Sequence, residues 1–150
     1  DDDYNAAILD ALVSLAQRGH AIVAASRFLP GGSLMNCPPL KAFLVRGASF
    51  ALHHFAGLPI HDASNGFRLF SRRLIERVRI QSTQGFTYSL ELTAKCHRLR
   101  WNIGEVPAQW IERTRGSSRF RVLRWLPHYL RWCGYVFATT YLKRGPETVV

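Results

Sequence analysis

His20-Ala21-Ile22-Val23-Ala24-Ala25-Ser26 is the stretch that decides the fold class. Its five central residues are all apolar and show no alternation, the pattern of a strand buried on both faces rather than one with a wet side. Just upstream, Ala6 to Arg18 places Ile8, Leu9, Leu12, Val13 and Leu15 at helical spacing, and Gly19 follows as a natural stop. A helix feeding directly into a doubly buried strand is half of a parallel α/β repeat, so the expected class is α/β.

Working outward, Leu29 to Pro39 holds Pro30, Gly31, Gly32, Pro38 and Pro39 and reads as a loop between elements. A second helix is predicted from about Leu40 to Phe55, with Leu40, Phe43, Leu44, Ala48, Ala51, Leu52 and Phe55 on an apolar side and Gly57 ending it. Gly66 to Ser71 reads as a strand and Arg73 to Arg79 as a short helix. Phe86 to Arg98 again has helical spacing, and Asn102 to Ile111 reads as an extended segment interrupted by Pro107. From Arg121 to Lys143 the chain is aromatic and basic, with Pro127 placed to begin or kink a helix.

With 150 residues, 47% of them hydrophobic, and with four tryptophans and nine phenylalanines, the chain can bury one sizeable core and is not disordered. Twenty Lys and Arg against ten acidic residues give a formal charge of +10, which points to an anionic partner: nucleic acid, a phosphorylated small molecule or a membrane surface. Nucleic acid is disfavoured, because the aromatic residues form no recognisable stacking motif and no DNA- or RNA-binding signature is present. Cys37, Cys96 and Cys133 are odd in number and lack C-x-x-C spacing, against both a disulfide framework and a zinc site. No signal peptide is visible and no uncharged apolar run is long enough to span a bilayer, so a reducing, cytoplasmic setting is expected, with the chain free to lie against a membrane.

Two segments carry phosphate chemistry. In Asp62-Ala63-Ser64-Asn65-Gly66-Phe67-Arg68 and in Arg113-Thr114-Arg115-Gly116-Ser117-Ser118-Arg119, arginines and small hydrogen-bonding residues surround single glycines. Glycine lets backbone N–H groups approach an anion, hydroxyls donate to it, and guanidinium groups grip it bidentately. Asp1, Asp2 and Asp3 at the start of the chain have two readings, a bound cation or solvated decoration of a helix start. His53, His54 and His61 have no further ligand at suitable spacing and read as packed or surface histidines. Glu91 is either a general base or a charged helix residue. In the tail, Trp125, Tyr129, Trp132 and Val136 fall on one helical stripe beside Arg124, His128 and Arg131. That stripe suits a helix lying in the headgroup region of a bilayer, one packed on its own domain, or both at once.

The motifs occur in a definite order. An Asp-rich segment is followed by Ser26-Arg27-Phe28, Gly31-Gly32, a helix with Arg46, then Asp62-x-x-Asn65-Gly66-Phe67-Arg68. After these come Gly85-Phe86-x-x-x-x-Glu91, Glu105-Val106-Pro107 and Arg113-x-x-Gly116-x-Ser118-Arg119. This order resembles the family 2 glycosyltransferases of the dolichol-phosphate mannosyltransferase type over nearly the whole chain. The resemblance implies a partial GT-A fold, a Rossmann-like α/β sandwich lacking its N-terminal nucleotide-binding strands, in residues 1–120, with residues 121–150 as an amphipathic, membrane-interfacial tail. It implies a metal-dependent, inverting transfer from a nucleotide-diphosphate sugar to a polyprenyl phosphate or related acceptor, at the cytoplasmic face of a membrane and without nucleic acid. Asp1 and Asp3 would hold a divalent cation, Mg or Mn, although a register in which Asp1 is the second aspartate of the Asp-x-Asp motif fits too. Arg27, Arg46, Asn65, Gly66, Arg68, Arg113, Gly116, Ser118 and Arg119 would line the diphosphate or acceptor-phosphate region. Glu91 matches an acidic position near the acceptor, and Glu91 or Asp62 would be the base for a hydroxyl acceptor. Lacking the nucleotide-binding half, the fragment alone is expected to be inactive.

Overall fold

The expected doubly buried strand is present as β1, Ile22–Ser26, every residue of which is buried. A computed structural model describes residues 6–111 and 122–149, and the side chains of 122–124 are not among those described. Ahead of β1 stands α1, Leu9–Gln17, which stops where Gly19 takes up a left-handed backbone, φ 93°. β2, Ser33–Met35, and α2, Pro39–His54, follow, with Pro39 in the first helical turn, where its missing N–H costs nothing. β3 is Arg68–Phe70, and α3, Arg72–Arg77, is capped by Ser71, whose hydroxyl accepts from the Leu74 N–H. Then come α4, Thr87–Arg98, β4, Ile103–Pro107, β5, Gln109–Ile111, α5, Val122–Tyr141, and a 3-10 turn at Pro146–Thr148.

The result is a mixed α/β structure with two small sheets. β1 lies between β4, which pairs with it in parallel, and β3, which pairs antiparallel. β2 and β5 form a separate parallel pair. The extended segment Asn102 to Ile111 is therefore split after Pro107: the Ala108 N–H donates to Ser26 O as the chain leaves β4, and Gln109–Ile111 joins β2 instead. Because alternate residues of β1 face opposite sides, Val23 packs with Leu12 of α1 on one face, and Ile22 packs with Leu74, Leu92 and Cys96 on the other.

α4 occupies the centre of the molecule. Its Leu92 and Cys96 join the core under the sheet, while Leu90 and Ala94 join a second core with Leu52, Leu58, Ile60, Trp132 and Val136. In that second cluster Trp132 is 3% exposed and Val136 fully buried, so this part of the aromatic stripe on α5 packs on the domain. Pro127 sits within α5 near its start instead of beginning it.

The apolar side expected on α2 is corrected by the structure. Leu52 is buried, but Leu40 and Phe43 are 71% and 73% exposed and Leu44 and Phe55 are also exposed. The physical reason lies in where α2 docks. Its C-terminal half is tied in through Leu52 and through the Ser49 hydroxyl, which accepts from the Ala63 N–H, whereas its first turns extend beyond that contact. Among the described residues no helix is long and apolar enough to cross a membrane.

Inward packing of α5 has a measurable consequence. Trp132→Ala should lower the unfolding free energy by about 3 kcal/mol or more, while Leu130→Ala, at a position 58% exposed, should change it by less than about 0.5 kcal/mol. Urea titration of both variants checks this, and equal effects would contradict the packing described.

Candidate functional site

At the carboxyl end of β1 the chain turns through Arg27 and Phe28, and a buried carboxylate from a distant loop meets it there. Asp62 is fully buried, and its Oδ2 accepts from Arg27 Nε at 2.6 Å and from the Arg27 backbone N–H at 3.1 Å, while a second guanidinium nitrogen of Arg27 donates to Oδ1 at 2.9 Å. Oδ1 also accepts from the Ser64 and Asn65 backbone N–H groups and from the Ser64 hydroxyl. Asn65 then donates to Ala25 O of β1 and accepts from the Phe67 N–H. The loop after Asp62 is thus wound around its own first side chain, as expected of an Asp that satisfies successive backbone donors.

Arg68 closes the loop from inside. It is buried and donates to the carbonyls of Asn65, Asp62 and Ser89 and to the Thr93 hydroxyl, bridging the loop to α4. Burial lowers its pKa to about 10 despite the opposing charges of Asp62 and Glu105, so it stays protonated at neutral pH. Gly66 does not need a left-handed backbone. A Cβ there would meet the Phe86 ring at 3.2 Å, so its smallness accommodates that ring.

Glu105 of β4, quoted in the sequence only as part of a motif, holds the other end of the loop. Its oxygens accept from the backbone N–H groups of His61 and Asp62 and from His61 Nδ1 at 2.8 Å. His61 stacks against His53, ring centroids 4.1 Å apart, and His53 Nδ1 lies 3.0 Å from Leu58 O. A carbonyl can only accept, so His53 Nδ1 is the donor in this bond.

These groups border a cleft of about 410 Å³ lined by Arg27, Phe28, Arg46, Ser49, His53 and His61, with other residues at its margin. The Arg27 and Arg46 guanidinium carbons lie 5.4 and 5.6 Å from the centroid of the Phe28 ring, so a single ring gathers both cations. Gly32 makes this close turn feasible, since a Cβ there would stand 2.6 Å from Ser26 O.

The structure therefore brings together Arg27, Arg46, Asp62, Asn65, Gly66 and Arg68, but not in one role. Arg46 is exposed at the cleft, Arg27 divides its donors between Asp62 and the Ser64 hydroxyl, and Arg68 is committed to the loop and α4. Glu91 belongs to a different constellation. It is buried on α4, with Oε1 2.7 Å from Lys95 Nζ and accepting from the Gln81 N–H, and Oε2 accepting from the Ser82 N–H. Asp1, Asp3, Arg113, Gly116, Ser118 and Arg119 lie outside the described residues, and among the described residues no group of three or more His, Cys, Asp or Glu side chains could hold a metal ion. Sequence reading missed the roles of Glu105, Phe28 and the paired histidines. Only the Arg-Phe step after an apolar strand hinted at them.

For Asp62, burial favours the neutral acid, but the hydrogen bonds and charge of Arg27, helped by Arg68, outweigh it and hold the carboxyl below its ordinary value of 3.8. Burial of Glu91 is likewise outweighed by Lys95, Ser82 and Gln81. A carboxyl depressed in the folded state contributes stability in full above its unfolded pKa, and loses it as pH falls through the folded value. Asp62→Asn should thus be less stable than the unaltered protein at pH 7, by about 3 kcal/mol for one partner removed from a buried pair. The gap should hold steady down to about pH 5 and narrow as pH drops below 3.8. Denaturant titrations at several pH values test this, and a gap that stays constant into acid would show that the carboxylate charge is not what the fold uses.

The sequence is 26% identical over 113 residues, 74% of this chain and 43% of the relative, to polyprenol monophosphomannose synthase of Mycolicibacterium smegmatis. It is 26% identical over 106 residues, 69% of this chain and 44% of the relative, to undecaprenyl-phosphate mannosyltransferase of Micrococcus luteus. The matched stretch spans under half the length of either relative. No protein-family model matches the chain. The chain is a distant homologue of these two proteins, both family 2 glycosyltransferases.

Proposed function

We propose that the full-length protein is a glycosyltransferase that moves a hexose from a nucleotide-diphosphate sugar to a polyprenyl phosphate or related acceptor with inversion at the anomeric carbon. The observation that carries this reading is the cleft at the carboxyl end of β1, where Arg27 and Arg46 flank Phe28. Ligands of open α/β sheets bind outside the carboxyl ends of the strands, and planar guanidinium groups in such a place suit phosphate. Distant homology to two enzymes whose names specify prenyl-phosphate mannose chemistry supports it. On this reading residues 1–120 are the C-terminal part of a GT-A domain, and 121–150 form its helical tail.

A phosphate acceptor fits the carboxylates better than a hydroxyl acceptor does. A hydroxyl must lose its proton to a base during attack, yet Asp62 and Glu91 have their oxygens occupied by donors and are held ionised by cations. An acceptor phosphate is already largely ionised near neutral pH, its second pKa being about 6. One of its oxygens attacks the anomeric carbon, and the bond from that carbon to the donor's diphosphate breaks, with the electron pair leaving on the nucleoside diphosphate. The protein's task is then positioning and neutralisation.

Arg46 and Arg27 face the phosphate region; by the resemblance, Arg113, Ser118 and Arg119 would bind the same phosphates and Gly116 would allow close backbone approach. Asp62, Asn65, Gly66 and Arg68 are positioning residues that fix Arg27 and the loop, and Glu91 positions the turn at Gln81 and Ser82. The carboxylates of Asp1 and Asp3 are hard oxygen donors suited to Mg or Mn, which when bound would offset charge on the leaving diphosphate.

Incubating the full-length protein with a polyprenyl phosphate and a panel of labelled nucleotide sugars, with Mg or Mn present, should yield a lipid-linked sugar phosphate. Absence of transfer from every donor would overturn the proposal. In the same assay Arg46→Ala should lower turnover by about 1.5 to 3 kcal/mol of transition-state stabilisation, as for one charge-assisted contact. Arg113→Lys should lose a similar amount although the charge is kept, because a point charge cannot rebuild a bidentate fork. Rates within about twofold of the unaltered protein would make Arg113 an ordinary solvated loop residue.

A further inference from the structure

A second basic cavity lies where α4 and α5 end side by side. It encloses about 320 Å³ and is lined by Arg98, Arg100, Thr139, Thr140, Lys143 and Arg144, with His97 beside them. It shares no residue with the cleft at Arg27. We propose that this cavity binds a phosphate group, carried either by the headgroup of an anionic lipid or by a free phosphate compound.

Arg98 forms its rigid wall. The side chain is buried, its guanidinium lies 3.2 Å from the centroid of the Tyr135 ring, and it donates to Thr139 Oγ1 at 2.9 Å and to Tyr135 O at 2.8 Å. Thr139 and Thr140 are oriented in turn, donating to Tyr135 O and Ala56 O. Arg100, Lys143 and Arg144 are exposed at the rim, and among the described residues no carboxylate forms an ion pair with any of them. The nearby acid, Glu147, turns back to accept from the Gly145 N–H.

The backbone points the same way. Arg100 and Lys143 each stand just past a helix end with left-handed φ, 60° and 49°, a conformation for which glycine is the ordinary choice. Cations near helix C-termini also offset the helix dipole, but that requires neither their convergence on one cavity nor a long side chain at the strained position. Tyr141 and Leu142, 64% and 66% exposed, place apolar surface directly beside these cations, with the Tyr141 hydroxyl donating to Phe55 O just past the C-terminal end of α2. Apolar surface bordered by long cationic side chains is the anatomy of a headgroup contact.

Amine acylation of Lys143 in the unaltered full-length protein, read by mass spectrometry, tests the proposal without a variant. Phosphatidylglycerol vesicles, phosphatidylcholine vesicles and inorganic pyrophosphate are the three probes. Protection by phosphatidylglycerol but not by phosphatidylcholine or pyrophosphate assigns the site to lipid headgroups, and protection by pyrophosphate assigns it to free phosphate. The triple variant Arg100→Gln, Lys143→Gln, Arg144→Gln, its folding checked by thermal melting, should lose on the order of tenfold or more in affinity for whichever probe protects. No protection by any probe, or equal protection by both kinds of vesicle, would overturn the proposal. So would unchanged binding by a folded triple variant, leaving these cations only the offsetting of two helix ends.

Discussion

The arrangement at the cleft depends on one buried carboxylate. Asp62 accepts from Arg27 three times, from Ser64 twice and from the Asn65 N–H, so a single side chain sets the path of its own loop and the orientation of the guanidinium across from it. A buried ion pair is seldom a net source of stability, because desolvation offsets most of the attraction. Its value here is geometric. Arg27 cannot swing away from the end of β1 without stranding a charge, so Phe28 and the cleft wall keep their shape before any ligand arrives.

Beneath that loop, α4 carries polar groups in an environment most helices reserve for apolar ones. Glu91 and Lys95 pair at i, i+4 with both side chains essentially inaccessible, and Lys95 also donates to Arg79 O, while Ser89 and Thr93 receive Arg68. The chain's +10 charge therefore misleads if read as surface alone. Arg68, Lys95 and Arg98 are spent on internal bonds, whereas Arg46 at the first cavity and Arg100, Lys143 and Arg144 at the second are exposed.

Elements whose signal is local were legible in the sequence. β1 announced itself by an unbroken apolar run, α1 by its spacing and the Gly19 stop, and the break in the extended segment by Pro107. α2 was read correctly in extent and wrongly in burial, because periodicity reports which residues share a face and not whether anything lies against that face. The aromatic stripe on α5 carried the same ambiguity, and only tertiary partners show that Trp132 and Val136 are packed. At the site, the segment Asp62 to Arg68 was read as a phosphate loop and Arg27 as a lining residue by resemblance, yet which of them bond to one another is set by tertiary contacts, 35 residues apart in sequence for Arg27 and Asp62. Glu105 was quoted only within a motif and given no role, since an acidic residue in a strand looks the same whether it faces water or two backbone N–H groups.

The proposed acceptor is amphiphilic, and the helix that borders the cleft has both characters. α2 sends Arg46, Ser49 and His53 to the cleft wall, while Leu40, Phe43 and Leu44 in its first turns stay uncovered. Leaving such side chains in water forgoes roughly 1.5 to 3 kcal/mol for each that could be fully buried, so a fold that keeps three of them outside gains nothing from them in isolation. On the proposed reading they have a use. A phosphate held at Arg27 and Arg46 would bring its hydrocarbon chain within reach of the same helix, so one rigid element would serve both ends of the ligand, and the buried Asp62 loop would hold the charged end in register with the apolar one.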